Sequence, residues 1–239
     1  MQKKLPELSI FFPFWNEEKN IETVIKKAMP IAEKIADNWE IIMIDDGSSD
    51  KTLSIAKKLV EKNKNLRIIS HLPNRGYGAA LKEGFNKSKF KYIIFNDGDN
   101  QFDFSEADKF MALIKNADNV IGFRKKRNDV NLLKRLLLMN MLKAWDFILF
   151  HFYFRDIDCG FKMFTREALD KIGPLRSEGA MITTEILAKA KRKKLKIKEV
   201  GVTHYPRLQG AQSGANFPVI VRAVLESLQL WYDLHYGRA

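Results

Sequence analysis

Five short apolar runs punctuate the first half of the chain: Leu8–Phe14, Glu40–Ile44, Leu66–Ser70, Tyr92–Phe95 and Asn119–Phe123. Each is continuously apolar, as a strand must be when helices cover both faces of its sheet. Helical periodicity fills the intervals, roughly at Glu18–Ala36, Asp50–Asn63, Gly76–Ser88 and Ser105–Lys115. The alternation predicts an α/β fold built from βαβ units, with a mainly parallel central sheet flanked by helices. Ligands of such sheets bind beyond the carboxyl ends of the strands. The polar motifs of this chain cluster at those ends.

Asp97-Gly98-Asp99 closes the fourth run and presents two carboxylates across one glycine. Two such charges about 4 Å apart repel by roughly 1 kcal/mol in water and roughly 4 kcal/mol at a protein surface, so the pair favours a cation. Magnesium suits it, because that ion takes one or two protein carboxylates and completes its shell with water and substrate phosphates. Gln101 stands at the next alternate position and offers a neutral oxygen. Without a ligand, the same tripeptide reads as an ordinary Asp/Gly turn. Pro13-Phe14-Trp15-Asn16-Glu17-Glu18 closes the first run and Asp45-Asp46-Gly47-Ser48-Ser49-Asp50 the second. Asp50 fits a helix cap. The doubled Asp45-Asp46 has less reason to sit there without a ligand, and Asp46 suits a hydrogen bond from a base or ribose. Trp15 offers either a stacking face or a core ring. After the third run, Asn74-Arg75-Gly76-Tyr77-Gly78 opens a helix whose N–H groups suit an anion, though it is neither a Walker loop nor a dinucleotide fingerprint.

Size and charge narrow the partners. The 239 residues are 46% hydrophobic, enough for one core, and Lys+Arg 41 against Asp+Glu 29 gives a net +12. That balance favours nucleotide phosphates, nucleic acid or an anionic membrane surface. The single cysteine, Cys159, excludes a disulfide framework and a multi-cysteine metal cluster, and reads as packed in a reducing compartment. The run from Leu8 to Trp15 lacks the flanks of a targeting segment, and Asn140, Lys143, Asp146 and His151 interrupt the longest apolar stretch short of a membrane span. A soluble or peripheral, cytoplasmic protein is expected.

In order, Pro13…Asn16-Glu17, Asp45-Asp46-Gly-Ser-Ser-Asp50, Asn74-Arg75-Gly-x-Gly and Asp97-x-Asp99-x-Gln101 resemble family 2 of the inverting glycosyltransferases. Gly122-Phe123-Arg124, Asp156 to Lys162, and His204-Tyr205-Pro206-Arg207-Leu208-Gln209-Gly210 are similar to its dolichol-phosphate mannose synthase and polyprenyl-phosphate branch. The resemblance spans about Leu8 to Ser213 and implies a GT-A nucleotide-sugar fold. It implies that Pro13, Trp15, Asn16, Glu17, Asp46, Gly76 and Asp97 bind the donor, and that Asp97, Asp99 and Gln101 hold Mg²⁺ or Mn²⁺ on its diphosphate. Arg124 and Arg207 would meet diphosphate or acceptor phosphate, with Asp99 also in the catalytic set. Members of that branch often carry a lysine shortly after the last arginine, where this chain has Ser213.

The expected reaction is metal-dependent inverting transfer of a hexose from a UDP- or GDP-linked donor to a polyprenyl phosphate at the inner membrane face. A phosphate acceptor brings its own oxyanion, whereas a saccharide or other hydroxyl acceptor needs a base, for which Glu185 and Asp158 are the candidates. A non-catalytic nucleic-acid-binding protein is the remote alternative, and acidic turns without a recognisable nucleic-acid motif count against it. No Ser/His/Asp set is legible, and His71, His151, His204 and His235 lack metal-ligand spacing. Residues 1–215 are expected to form the catalytic domain and 216–239 an amphipathic helix. Its stripe of Val221, Val224, Leu225, Leu228 and Trp231 would pack on the domain, on a second copy in a homodimer, or on lipid. Arg124–Arg155 is basic and carries Leu138, Met141, Leu142, Trp145, Leu149 and Phe152 at helical spacing, as a lipid-resting or core helix would.

Overall fold

The computed structural model describes residues 3–125, 144–207 and 217–237. Strands β1 (Leu5–Phe14), β2 (Ala36–Asp45), β3 (Leu66–Ser70), β4 (Tyr92–Asn96) and β5 (Asn119–Arg124) form at the five apolar runs. Between them lie α1 (Ile21–Ile35), α2 (Thr52–Lys62), α3 (Tyr77–Lys87) and, after a short 3₁₀ turn, α4 (Ala107–Ile114). The second half adds β6 (Phe161–Thr165), α5 (Arg166–Ile172), α6 (Ile182–Arg192), β7 (Ile197–Val202) and α7 (Phe217–His235). The apolar pattern does not mark β6 or β7, since one has Lys162 as its second residue and the other carries Lys198-Glu199 in mid-strand.

The seven strands pair in the order β3-β2-β1-β4-β6-β5-β7. All neighbours run parallel except β6, which is antiparallel to both β4 and β5. Side chains alternate across the pleat. On β1, Ile10, Phe12 and Phe14 join a core with α1, α2 and α4, while Phe11 joins Phe85, Phe95, Leu169 and Ile186 under α3, α5 and α6. Gly84 of α3 lets Phe11 seat, since a Cβ there would lie 2.3 Å from its ring.

Because β6 is inverted, its first residues lie beside the last residue of β4, with Asn96 opposite Phe161. The loop before β6 thereby reaches the same edge of the sheet as Asp97. Helix α7 packs through Leu230 and Leu234 against Phe152, Ile157 and Leu187, and Trp145 donates its indole N–H to Ser227 Oγ at 2.8 Å. The buried face of α7 therefore runs through Ser227, Leu230 and Leu234, and Leu225 and Leu228 of the expected stripe point outward. Among the described residues no helix is long and apolar enough to cross a membrane. Lys126, Arg127, Leu138, Met141 and Leu142 of the basic segment, and Ser213, lie outside the described residues.

Candidate active site

A cleft of about 490 Å³ opens beyond the carboxyl ends of β1, β2 and β4, where the strand order reverses. Its lining includes Pro13, Trp15, Glu17, Asp46, Gly76, Tyr77, Asp97, Asp99 and Arg207, with Ala223 and Glu226 supplied by α7. Six acids and bases from segments distant in sequence thus share one space large enough for a nucleotide.

One end is organised by Asp46. Its Oδ1 accepts from His71 Nδ1 at 2.8 Å and from the Arg75 N–H at 3.0 Å, and its Oδ2 accepts from the Gly76 N–H at 2.8 Å. Gly76 has φ +97°, a conformation that favours glycine, and a Cβ at Gly47 would lie 2.6 Å from the Asn74 nitrogen. The loop 74–76 is therefore wrapped on the Asp46 carboxylate. Trp15 is half exposed beside it, at 49%, which places its ring in the cleft rather than in the core.

At the other end stands the acid pair. Asp97 accepts a hydrogen bond from the Tyr77 hydroxyl at 2.8 Å, and its own N–H donates to Gly160 O at 2.9 Å. A Cβ on Gly160 would come within 1.8 Å of Asp97 Oδ2, so the carboxylate rests on bare backbone. Burial, and then the charge of Asp99, push Asp97 up to about 6, and burial also raises Asp99. Two adjacent carboxylates with raised proton affinity make a site in which a divalent cation relieves both desolvation and repulsion. Among the described residues no group of three or more His, Cys, Asp or Glu converges, so any ion held here would draw its remaining ligands from water and substrate. The residues present fit Mg²⁺ or Mn²⁺ on a diphosphate.

Arg207 spans the two ends. Its Nη2 pairs with Glu17 Oε1, and its Nη1 lies 3.5 Å from Asp99 Oδ2. Glu17 also accepts from Asn20 Nδ2 at 2.5 Å, and burial raises its pKa. Gln101, expected to offer a metal its side-chain oxygen, donates its amide N–H to Tyr205 O at 3.0 Å, while the Tyr205 N–H returns to Gln101 O at 2.8 Å. That reciprocal pair fastens the segment carrying Arg207 to the acidic turn.

Three expected site residues are engaged by partners within the chain. Arg124, expected at a phosphate, forms a two-pronged pair with Asp156 (Nε–Oδ2 2.7 Å, Nη2–Oδ1 2.8 Å) and ties the loop before β6 to the end of β5. Glu185, expected as a base, is fully buried away from this cleft: it accepts from the Arg176 and Ser177 N–H groups at 2.9 and 2.7 Å and pairs with Lys189 at 2.8 Å. Those hydrogen bonds outweigh its burial and lower its pKa, so it stays charged and structural. Asn16 turns its side chain to the Ser49 N–H at 2.8 Å, with φ +54°, and shapes the turn rather than the lining. Asp45 likewise serves its own turn, accepting from Ser48 N and Ser70 Oγ. Asp158 is exposed. Conversely, His71, Tyr77, Gly160 and Glu226 take part without having been singled out. Tyr77 and Gly160 lay inside quoted motifs, and His71 follows the end of β3 by one residue, whereas nothing local marks Glu226.

A mainly parallel sheet whose reversal point gathers a loop-wrapped acid, a paired-acid turn and a bridging arginine is an α/β fold of the GT-A type. Residues 9–173 match the family described as Glycosyl transferase family 2, and the chain belongs to it. It is 33% identical over 220 residues to the dolichyl-phosphate beta-glucosyltransferase of Saccharomyces cerevisiae, covering 82% of this chain and 66% of that one. To the human dolichyl-phosphate beta-glucosyltransferase it is 28% identical, covering 86% of this chain and 69% of that protein. The chain thus spans about two thirds of the length of these relatives. In fold it is similar to glucosyl-3-phosphoglycerate synthase from Mycobacterium tuberculosis in complex with Mn²⁺, UDP and glucosyl-3-phosphoglycerate, with TM-score 0.69 and 20% identity over 95% of this chain and 80% of that one.

Proposed function

We propose that the protein transfers a hexose, with inversion, from a UDP-linked donor to a polyprenyl phosphate. The observation that carries the reading is the convergence of Asp46, Trp15, the Asp97/Asp99 pair and Arg207 on one cleft. The glucosyl relatives and the UDP held by the structural neighbour favour UDP over GDP. Asp46 and Trp15 hold the nucleoside by hydrogen bonding and stacking. Asp97 and Asp99 would hold Mg²⁺ or Mn²⁺, which supplies positive charge for the departing diphosphate. Arg207 lies at the edge of the same pair, where a forked guanidinium meets phosphate oxygens well.

An acceptor phosphate oxygen forms the new bond to the anomeric carbon as the bond to the UDP oxygen breaks. The acceptor dianion becomes a monoanionic diester, the charge passes to UDP, and no proton has to move. Base catalysis by Glu185 is therefore not required, in keeping with its engagement elsewhere. A hydroxyl acceptor is the second reading, favoured by one observation: Glu226 lines the cleft and would be the base it needs.

A lipid acceptor places the protein at a membrane face. Phe147, Ile148 and Tyr153 are exposed next to the helix that carries Leu225, Leu228 and Tyr232, also exposed, and the two helical segments are joined by the Trp145–Ser227 bond. With a net +12, this surface would rest on anionic lipid. The test is transfer of labelled sugar from UDP-glucose, UDP-galacturonate and GDP-mannose, with Mn²⁺ or Mg²⁺, to a short polyprenyl phosphate and to a free saccharide. Transfer to polyprenyl phosphate from a UDP-sugar is expected. Transfer only to the saccharide overturns the acceptor, and use of GDP-mannose alone overturns the donor.

A further inference from the structure

Tyr77 is the first residue of α3, and its hydroxyl reaches Asp97 Oδ1 at 2.8 Å. The backbone on either side of it is clamped. The Gly76 N–H is held by Asp46 Oδ2 at 2.8 Å, and the Gly78 N–H by Glu178 O at 2.9 Å, where a Cβ would lie 2.6 Å from the Glu178 carbonyl carbon. Tyr77 lines the cleft and is 37% exposed as a residue. Beneath the carboxylate, Gly160 offers only its Cα. Among the described residues no other side chain donates to Asp97.

We propose that Tyr77 is a positioning residue for the metal ligand Asp97, its hydroxyl and the bare Cα of Gly160 together fixing the carboxylate in the orientation that meets the ion. This rests on the reading of Asp97 as a ligand. A carboxylate left to rotate must be ordered when metal binds, and losing the outer hydrogen bond of a ligand typically weakens metal 10–100-fold. The same short loop that wraps Asp46 thereby orients Asp97, so the nucleoside end and the metal end of the cleft are set by one rigid piece of backbone.

The test is titration of Mn²⁺ in the presence of UDP, following free Mn²⁺ by electron paramagnetic resonance, for the wild type, Tyr77→Phe, Gly160→Ala and Asp97→Asn. Tyr77→Phe keeps the ring and is expected to weaken Mn²⁺ at least 10-fold, to leave UDP affinity without metal unchanged, and to regain its kcat at excess Mn²⁺. Gly160→Ala, which pushes the carboxylate off its seat from the other side, is expected to weaken Mn²⁺ at least as much. If Asp97→Asn loses Mn²⁺ while Tyr77→Phe binds it as the wild type does, the inference is wrong and the metal site stands. A fall in metal-free UDP affinity for Tyr77→Phe overturns it as well, since the hydroxyl would then be a donor contact. If Asp97→Asn binds Mn²⁺ normally, the ligand assignment itself falls, and the inference with it.

Discussion

Two acidic centres lie at opposite ends of the sheet and are built on opposite plans. At the amino ends of the strands, Glu40 accepts from Ser9 Oγ at 2.7 Å and the Lys89 N–H at 2.9 Å through one oxygen, and pairs with Arg67 at 2.6 Å through the other. At the carboxyl ends, Asp97 and Asp99 stand side by side with one hydroxyl, one N–H and a 3.5 Å approach from Arg207. Glu185, with two N–H groups and Lys189, follows the first plan. A carboxylate complemented by its own chain holds the fold together. One that is left under-complemented stores electrostatic energy that a cation can release.

The contrast breaks most directly at Asp99. Asp99→Asn removes half of the acid pair, and its UDP affinity in Mn²⁺ is expected to fall at least 100-fold, to the metal-free value, in calorimetry. Metal-independent binding equal to the wild type would erase the distinction. Glu185→Gln should act on stability instead, by about 3 kcal/mol, because it leaves the Lys189 charge buried without its partner. Its kcat/KM per folded molecule should stay within threefold of wild type; a loss of a hundredfold or more would restore it as a base. Since folding lowers its pKa, its stabilisation exists above the ordinary carboxylate range and is lost as pH falls through the folded value. Denaturation midpoints of wild type and Glu185→Gln should therefore converge toward acid pH. Glu40→Ala should cost about 2 kcal/mol, less because Arg67 is partly exposed and can rehydrate, with Mn²⁺ affinity unchanged.

The smallest effect has the opposite sign. Folding raises Asp97 to about 6, so the folded chain keeps a proton where the unfolded chain has released it, and stability falls as pH rises from the ordinary carboxylate range to about 6. Above that pH the penalty is complete. Asp97→Asn removes it and, without metal at pH 7.5, should melt higher by roughly 2–4 °C, about 1 kcal/mol for a chain of this size. A lower melting temperature would show that Asp97 belongs with Glu40 as a structural acid.

The parts of the molecule that could be read from its residues are those where local chemistry decides. The runs of β1 to β5 are apolar because both faces are covered, and Asp46, Trp15, the acid pair and Arg207 stand at strand ends or in motifs that put them in one cleft. What was not legible rests on pairings, near in the chain as well as far, that periodicity does not express. β6 was hidden by Lys162, whose ammonium is buried and satisfied by the carbonyls of Ile157 and Cys159, an arrangement no periodicity expresses. Arg124 and Glu185 carry the right charge for catalysis, yet Asp156 and Lys189 claim them. Gln101 has a ligand's oxygen, and its amide N–H is held by Tyr205, far along the chain.

The inverted strand β6 also sets an order of assembly. During synthesis residues up to 96 emerge with four strands that already neighbour one another, β3-β2-β1-β4, and with Asp46 among them. β5 emerges next but has no partner in that sheet, because its neighbours β6 and β7 are both still to be made. Only when residues 160–165 leave the ribosome can β6 slot in beside β4, bring Gly160 under Asp97 and give β5 an edge. The half of the sheet that carries Asp46 is thus available to fold early and locally, while the Gly160 floor beneath Asp97 arrives late, through long-range pairing that is intrinsically slow.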